Sequence, residues 1–181
     1  MNTRDFVTLA YEAFGGRIEG KTVLQKRIYF LNVMVNGRIS FKAHYYGPYS
    51  QEVTNANSEL IDLGYVQRSI SSIGAISSQG FEIARHDFQL TNDGKSITAR
   101  KKADYSAEWD KINTAAKKIL NAGDVDYMIL SAAAKAHFIN GGGKKLNKKQ
   151  IQKLAKNFGW TVSEKDLEKA EDFLKKIDLA S

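Results

Sequence analysis

At 181 residues, 43% hydrophobic and 26% charged, the chain is long and apolar enough to bury a sizeable core, which excludes a disordered polypeptide. It has no cysteine, which excludes disulfides, thiolate catalysis and thiolate metal sites and fits a reducing compartment. The net charge of +7 points to an acidic partner, and its location is uneven: nine of the 27 basic and nine of the 20 acidic residues fall within positions 1–94, so the whole excess belongs to the C-terminal half.

No apolar run approaches the length that crosses a bilayer, and the opening MNTRDFVTLAYEAF lacks the charged, apolar, small-residue order of a signal peptide. A cytoplasmic protein with no membrane partner is expected. Thr3 can cap a first helix reaching Phe14, where Gly15 and Gly16 stop it. A second helix is expected from about Lys21 to Val35, with Leu24, Ile28, Leu31 and Val35 in one core-facing stripe. Phe30 and Val33 lie on roughly the opposite side, so this helix needs cover on both faces, and the C-terminal helices are the candidate cover.

RISFKAHYY, residues 38–46, is rich in strand formers. Gly47 and the sole proline, Pro48, then turn the chain; proline fixes φ and restricts its predecessor, so neither helix nor strand is expected to run through the pair. Ser50 is placed to cap the next helix, with Val53, Leu60 and Leu63 facing inward and Gly64 as its stop. YVQRSISS and FEIARHDFQLT, around the glycine- and serine-rich IGAISSQG, read as a β-hairpin, and Thr91 caps a helix after it. Helix, helix, strand, helix, hairpin is the order of a winged helix-turn-helix domain.

The second half is helical. Trp109, Ile112, Ala116 and Ile119 share a face of one helix, and the alanine-rich DVDYMILSAAAKAHFI reads as a closely packed, buried one. NGGGKK at 140–145 reads as a hinge; helices follow over about Asn147 to Phe158 and from Ser163, where Ser163 and Asp166 have nearly the spacing of a capping box. The expected fold class is α+β, mainly helical: a winged-helix domain over 1–103 and a helical extension over 104–181 packed on it.

VLQKRIYFLNVM, FKAHYYGPYSQEV and LIDLGYV together resemble two related groups, the uncharacterised YwgA-like winged-helix proteins and the Panacea domain of SocA-like antitoxins. Both show a Leu-Gln-Lys helix, a Tyr/His-Gly-Pro turn and a helix ending before a glycine. LSAAAKAHFI and NKKQIQKLAKNFGWTVSEKDLEKAEDFLKKIDL are similar to the tail of the YwgA-like proteins, so that likeness spans most of the chain, whereas the Panacea likeness covers the first half. The resemblance implies a regulatory or adaptor protein and no catalytic residue.

The residues point the same way. His44, His86 and His137 are scattered, with no HxH or HExxH spacing, and NGGGKK lacks the spacing and preceding strand of a phosphate loop. No nucleophile elbow or carboxylate pair can be picked out, so no catalytic residue, metal site or cofactor is expected. Gln51, Thr54 and Asn55 point outward from the helix after Pro48, where Gln and Asn suit adenine edges. Against base reading, residues 50–63 hold no Lys or Arg and three acids, Glu52, Glu59 and Asp62, so a solvated or protein-contacting face is the alternative. Tyr45, Tyr46 and Tyr49 surround the turn; they suit a partner interface or brace the turn against the core, and bracing is favoured.

The strongest feature is basic. From Lys135 to Lys156 there are seven lysines and no acid, among them Lys144, Lys145, Lys148, Lys149, Lys153 and Lys156. Lys145, Lys149, Lys153 and Lys156 fall on one helical face, with Leu146, Ile151, Leu154 and Phe158 expected on the inward side. Solvation, phosphate contact, and an acidic protein or membrane surface are all open to such a face, although a merely solvated helix normally intersperses Glu with Lys. The leading expectation is a non-enzymatic regulator that binds nucleic acid, DNA before RNA, through lysine–phosphate contacts. The competitor is an antitoxin or adaptor module that holds a partner protein; the oligomeric state, homodimer included, is open.

Overall fold

A computed structural model of the chain describes residues 1–76, 82–123, 126–141 and 146–180. The first half comprises α1 (Thr3–Ala13), β1 (Arg17–Glu19), α2 (Lys21–Met34), β2 (Lys42–His44), β3 (Gly47–Tyr49), α3 (Gln51–Asp62), β4 (Val66–Ile76) and β5 (Glu82–Leu90). Five further helices follow: α4 (Asn92–Asp104), α5 (Ser106–Asn121), α6 (Tyr127–Asn140), α7 (Lys148–Lys156) and α8 (Glu164–Lys176). The fold is α+β and mainly helical. Among the described residues no helix is long and apolar enough to cross a membrane.

Local chemistry explains most boundaries. Asn2, rather than Thr3, caps α1: its side chain accepts the Asp5 N–H at 2.8 Å, while Phe14 closes the helix. Ser50 caps α3 by accepting from Val53, and Gly64, at φ +73°, ends it. Thr91 caps α4 by accepting from Gly94, and Ser163 caps α8 by accepting from Asp166. Asn147 and Gln150 form a full capping box at the start of α7.

The three-stranded antiparallel sheet runs β1-β5-β4, with Ile18 opposite Phe88 and Val66 opposite Leu90. Strand β1 is only three residues long and escaped sequence reading, because a strand that short has no periodicity to detect. The expected strand over 38–46 shrinks to β2, since Asn32 takes over the segment before it. The Asn32 side chain accepts from Ile39 N–H at 3.0 Å and donates to Ile39 O at 3.1 Å, replacing ladder bonds.

One buried cluster draws on both halves, including Leu9, Ile28, Phe30, Ile112, Ala133 and Phe173. Helix α2 is covered on both faces, as its two stripes require. Leu24, Ile28 and Leu31 are buried, while Phe30 meets Phe173 of α8 edge-on at 5.3 Å. Tyr29 bonds His137 Nδ1 on α6 at 2.8 Å. Each fully buried aromatic or aliphatic side chain here contributes roughly 1.5–3 kcal/mol. On α5, Ile112, Ala116 and Ile119 are buried and Trp109 is half-buried beneath the Lys102 ammonium. Leu63 departs from expectation: it lies at the exposed end of α3, and Ala56 and Asn57 take the inward positions with Val53 and Leu60.

Candidate functional site

The Gly-Pro turn is a strand as well as a turn. Contrary to the expectation that no strand passes through it, Pro48 sits within β3, paired with Ala43 of β2, and the reversal falls at Tyr45 and Tyr46. An edge position permits this, because a two-stranded ladder leaves the missing proline N–H unneeded. The proline carbonyl is used: Lys26 Nζ donates to it at 2.7 Å. Gln25 reads the next residue but one twice, donating to Ser50 O at 3.0 Å and accepting Ser50 N–H at 2.9 Å. The neighbouring Leu24 is buried in the core. The Leu-Gln-Lys sequence is therefore one anchor and two clamps on the turn.

The C-terminal half clamps the same hairpin from its other end. Trp160 Nε1 donates to His44 O at 2.6 Å, and Gly47, at φ +104°, lies where an added methyl would come within 3.1 Å of Lys135 Cγ on α6. Lys26 is only 2% exposed. Burial first, and the Lys135 ammonium second, pull its pKa from 10.5 down to about 7.

Helix α3 carries Gln51 and Asn55 on its exposed side and Thr54 half-buried. Gln51 Nε2 donates to Asn55 Oδ1 at 2.8 Å, Tyr49 OH donates to Gln51 Oε1 at 3.1 Å, and Thr54 bonds both Gln25 and Tyr49. The amide edges that could read a base are thus partly engaged with one another. Two acids on this helix are committed as well: Glu59 pairs with Arg4, and Glu52 accepts from Thr3.

Tyr45 and Tyr46 do not brace the core. They stand 83% and 65% exposed at the hairpin tip, where the Tyr45 ring meets that of neighbouring His44 edge-on at 5.1 Å. Tyr49 is half-buried and stacks with His44, ring centres 4.8 Å apart.

On α7, Lys149, Lys153 and Lys156 are exposed along one side, and none has a carboxylate partner among the described residues. Lys148 turns away and pairs with Glu168 of α8 at 3.1 Å. Lys144, Lys145 and most of the expected 140–145 hinge lie outside the described residues. Ile151 is buried as expected, but Leu154 and Phe158 are exposed. Phe158 finds its partner in the turn after the helix, stacking on Trp160 at 4.9 Å. Because Trp160 also bonds His44, the end of α7 adjoins the β2–β3 hairpin, linking the lysine helix to the tyrosine-bearing turn through named contacts. Through Tyr49, which stacks on His44 and bonds Gln51 and Thr54, the same series of contacts reaches α3.

Among the described residues no three His, Asp or Glu side chains gather as metal ligands: His44 lies on the hairpin, His86 on β5 and His137 inside the α2–α6 contact. Sequence reading missed the buried ammonium of Lys26; its signal was a lysine between core positions of an amphipathic helix. No known family model matches the chain, and no curated protein matches it.

Proposed function

We propose that this chain is a non-enzymatic winged-helix regulatory protein that binds nucleic acid, DNA in preference to RNA, mainly through lysine–phosphate contacts. The observation that carries the proposal is the α7 face, where Lys149, Lys153 and Lys156 stand exposed without a carboxylate partner among the described residues. Each phosphate such a lysine neutralises releases a counterion, so binding is salt-dependent and largely indifferent to sequence. Exposed Phe158 at the end of the same helix adds a ring on which an unpaired base can stack.

Support for the winged-helix description comes from the order α1, β1, α2, α3, β4, β5 and from β1 pairing with the outer side of the β4–β5 hairpin. The clamps that Gln25 and Lys26 put on Ser50 and Pro48 give a physical reason for the two motifs on which the likeness to YwgA-like and Panacea proteins rests. Base reading by α3 is at most secondary, since Gln51 and Asn55 bond each other.

A second reading, a partner-holding module of antitoxin or adaptor type, is favoured by one observation: the exposed Tyr45 and Tyr46, large rings that suit a protein interface. Fluorescence anisotropy with labelled duplex and single-stranded oligonucleotides at low salt tests the first reading. Binding that weakens steadily as salt is added supports it. No binding at the lowest salt rejects it and leaves the adaptor reading in front.

A further inference from the structure

A cleft of about 540 Å³ opens beside the clamped turn, between the start of α2, the β2–β3 hairpin, β5 and the start of α6. That volume falls within the ordinary range for small-ligand sites, roughly 300–1,000 Å³. Lys21, Lys26 and His86 all line it. Burial first and the Lys21 ammonium second lower the pKa of His86, whereas Lys26 is lowered by burial and by Lys135, which lies outside the lining. The acid at the cleft, Glu19, is spoken for by Arg17 at 3.1 Å and Arg85 at 3.8 Å. Among the described residues Lys21 has no carboxylate partner. The cleft therefore holds more positive charge than its own carboxylate balances.

The polar groups there are also under-satisfied. Lys26 is buried, yet the Pro48 carbonyl takes only one of its three N–H donors. His86 Nδ1 is buried with no hydrogen-bond partner. Gly20 offers no side chain to cap α2, so the amides of its first turn meet the same cleft uncapped. The hairpin side of the cleft, against which Lys26 is held, is aromatic: His44 and Tyr49 stack with their rings inclined by 29°, and Tyr46 and Tyr127 also line the cleft.

We infer that this cleft binds a small phosphate monoester carrying an aromatic ring, the chemistry of a nucleoside monophosphate. The dianionic phosphate takes the donors of Lys21 and Lys26 and the first-turn amides of α2. The heterocycle lies against the His44–Tyr49 stack. This site shares no residue with the α7 face, so either can fail without the other.

The test is calorimetric titration of the full chain with the four ribonucleoside 5′-monophosphates, their nucleosides and inorganic phosphate. Saturable binding of at least one monophosphate is expected, tighter than its nucleoside or inorganic phosphate. Each charge-assisted contact is worth enough that Lys21→Gln and Lys26→Met should each weaken binding by about tenfold or more. Lys21 is exposed and supports no fold contact here, so Lys21→Gln decides the matter if Lys26→Met unfolds. Replacing Lys149, Lys153 and Lys156 by Gln should leave this binding unchanged. The inference is overturned by an absence of saturable binding at millimolar ligand, by binding that survives Lys21→Gln, or by inorganic phosphate binding as tightly as the nucleotide.

Discussion

Lys26 Nζ donates to the carbonyl of Pro48 across 2.7 Å, so a buried ammonium from the middle of α2 holds the only proline of the chain. That one bond joins the Leu-Gln-Lys helix to the Gly-Pro turn and sets where α3 begins, shortly after it. It also makes the fold sensitive to pH. In the fold Lys26 is pulled down to about 7, against 10.5 for an ordinary lysine. Between those values the unfolded chain binds the proton that the folded chain has released, so stability rises with pH from about 7 toward 10; below 7 both states hold the proton and stability no longer varies with it. Lys135, also lowered by burial, adds in the same direction. Urea unfolding at pH 7 and pH 9 should show this rise in the native chain and a flatter profile in Lys26→Met. Parallel profiles would mean that the ammonium is not desolvated.

Gly47 should not tolerate a side chain. Its φ of +104° is rarely open to L residues, and a methyl there meets Lys135 Cγ at 3.1 Å and Lys26 Cε at 3.3 Å. Gly47→Ala should cost about 1–3 kcal/mol in unfolding free energy. Unchanged stability together with abolished partner binding would recast the turn as a functional loop.

The bond from Trp160 to His44 O is the tie between the C-terminal segment and the hairpin. Trp160→Phe keeps a ring for Phe158 to stack on but removes the donor, and should lower stability by about 1 kcal/mol. In the native chain the indole N–H should exchange slowly with solvent; fast exchange would show that the tie is not made.

Gln51 and Asn55 bond each other on the exposed side of α3. Replacing both with Ala should remove whatever sequence preference duplex binding shows and leave non-specific affinity nearly intact. A drop in affinity for every sequence alike would instead make α3 part of the phosphate-binding surface.

Much of this architecture was legible in the sequence because it is encoded locally. The stripe of Leu24, Ile28 and Leu31, the caps at Ser50, Thr91 and Ser163, and the stop at Gly64 each depend on residues within a turn or two of one another. What was illegible depends on distant partners. Asn32 displaces strand pairing at Ile39, β1 exists only because β5 lies beside it, and Phe158 leaves the inward face of α7 to stack on Trp160. The lysine face was legible by spacing, but not the diversion of Lys148 to Glu168, a residue of another helix. The cleft was invisible for the same reason: Lys21 and Lys26 share α2, but His86 belongs to β5 and His44 to the hairpin, and these join them only once the chain is folded.

The central claim, that α7 meets nucleic acid through its lysines, is tested most directly by the salt dependence of duplex binding. With Lys149, Lys153 and Lys156 all changed to Gln, the helix keeps buried Ile151 and Ala155 and its capping box, and glutamine is nearly as good a helix former as lysine. Circular dichroism should therefore be unchanged. The slope of log affinity against log salt should flatten by up to about 0.9 for each lysine–phosphate pairing removed, with weaker binding to every sequence tested. A folded triple variant whose slope and affinity match those of the native chain would contradict the account.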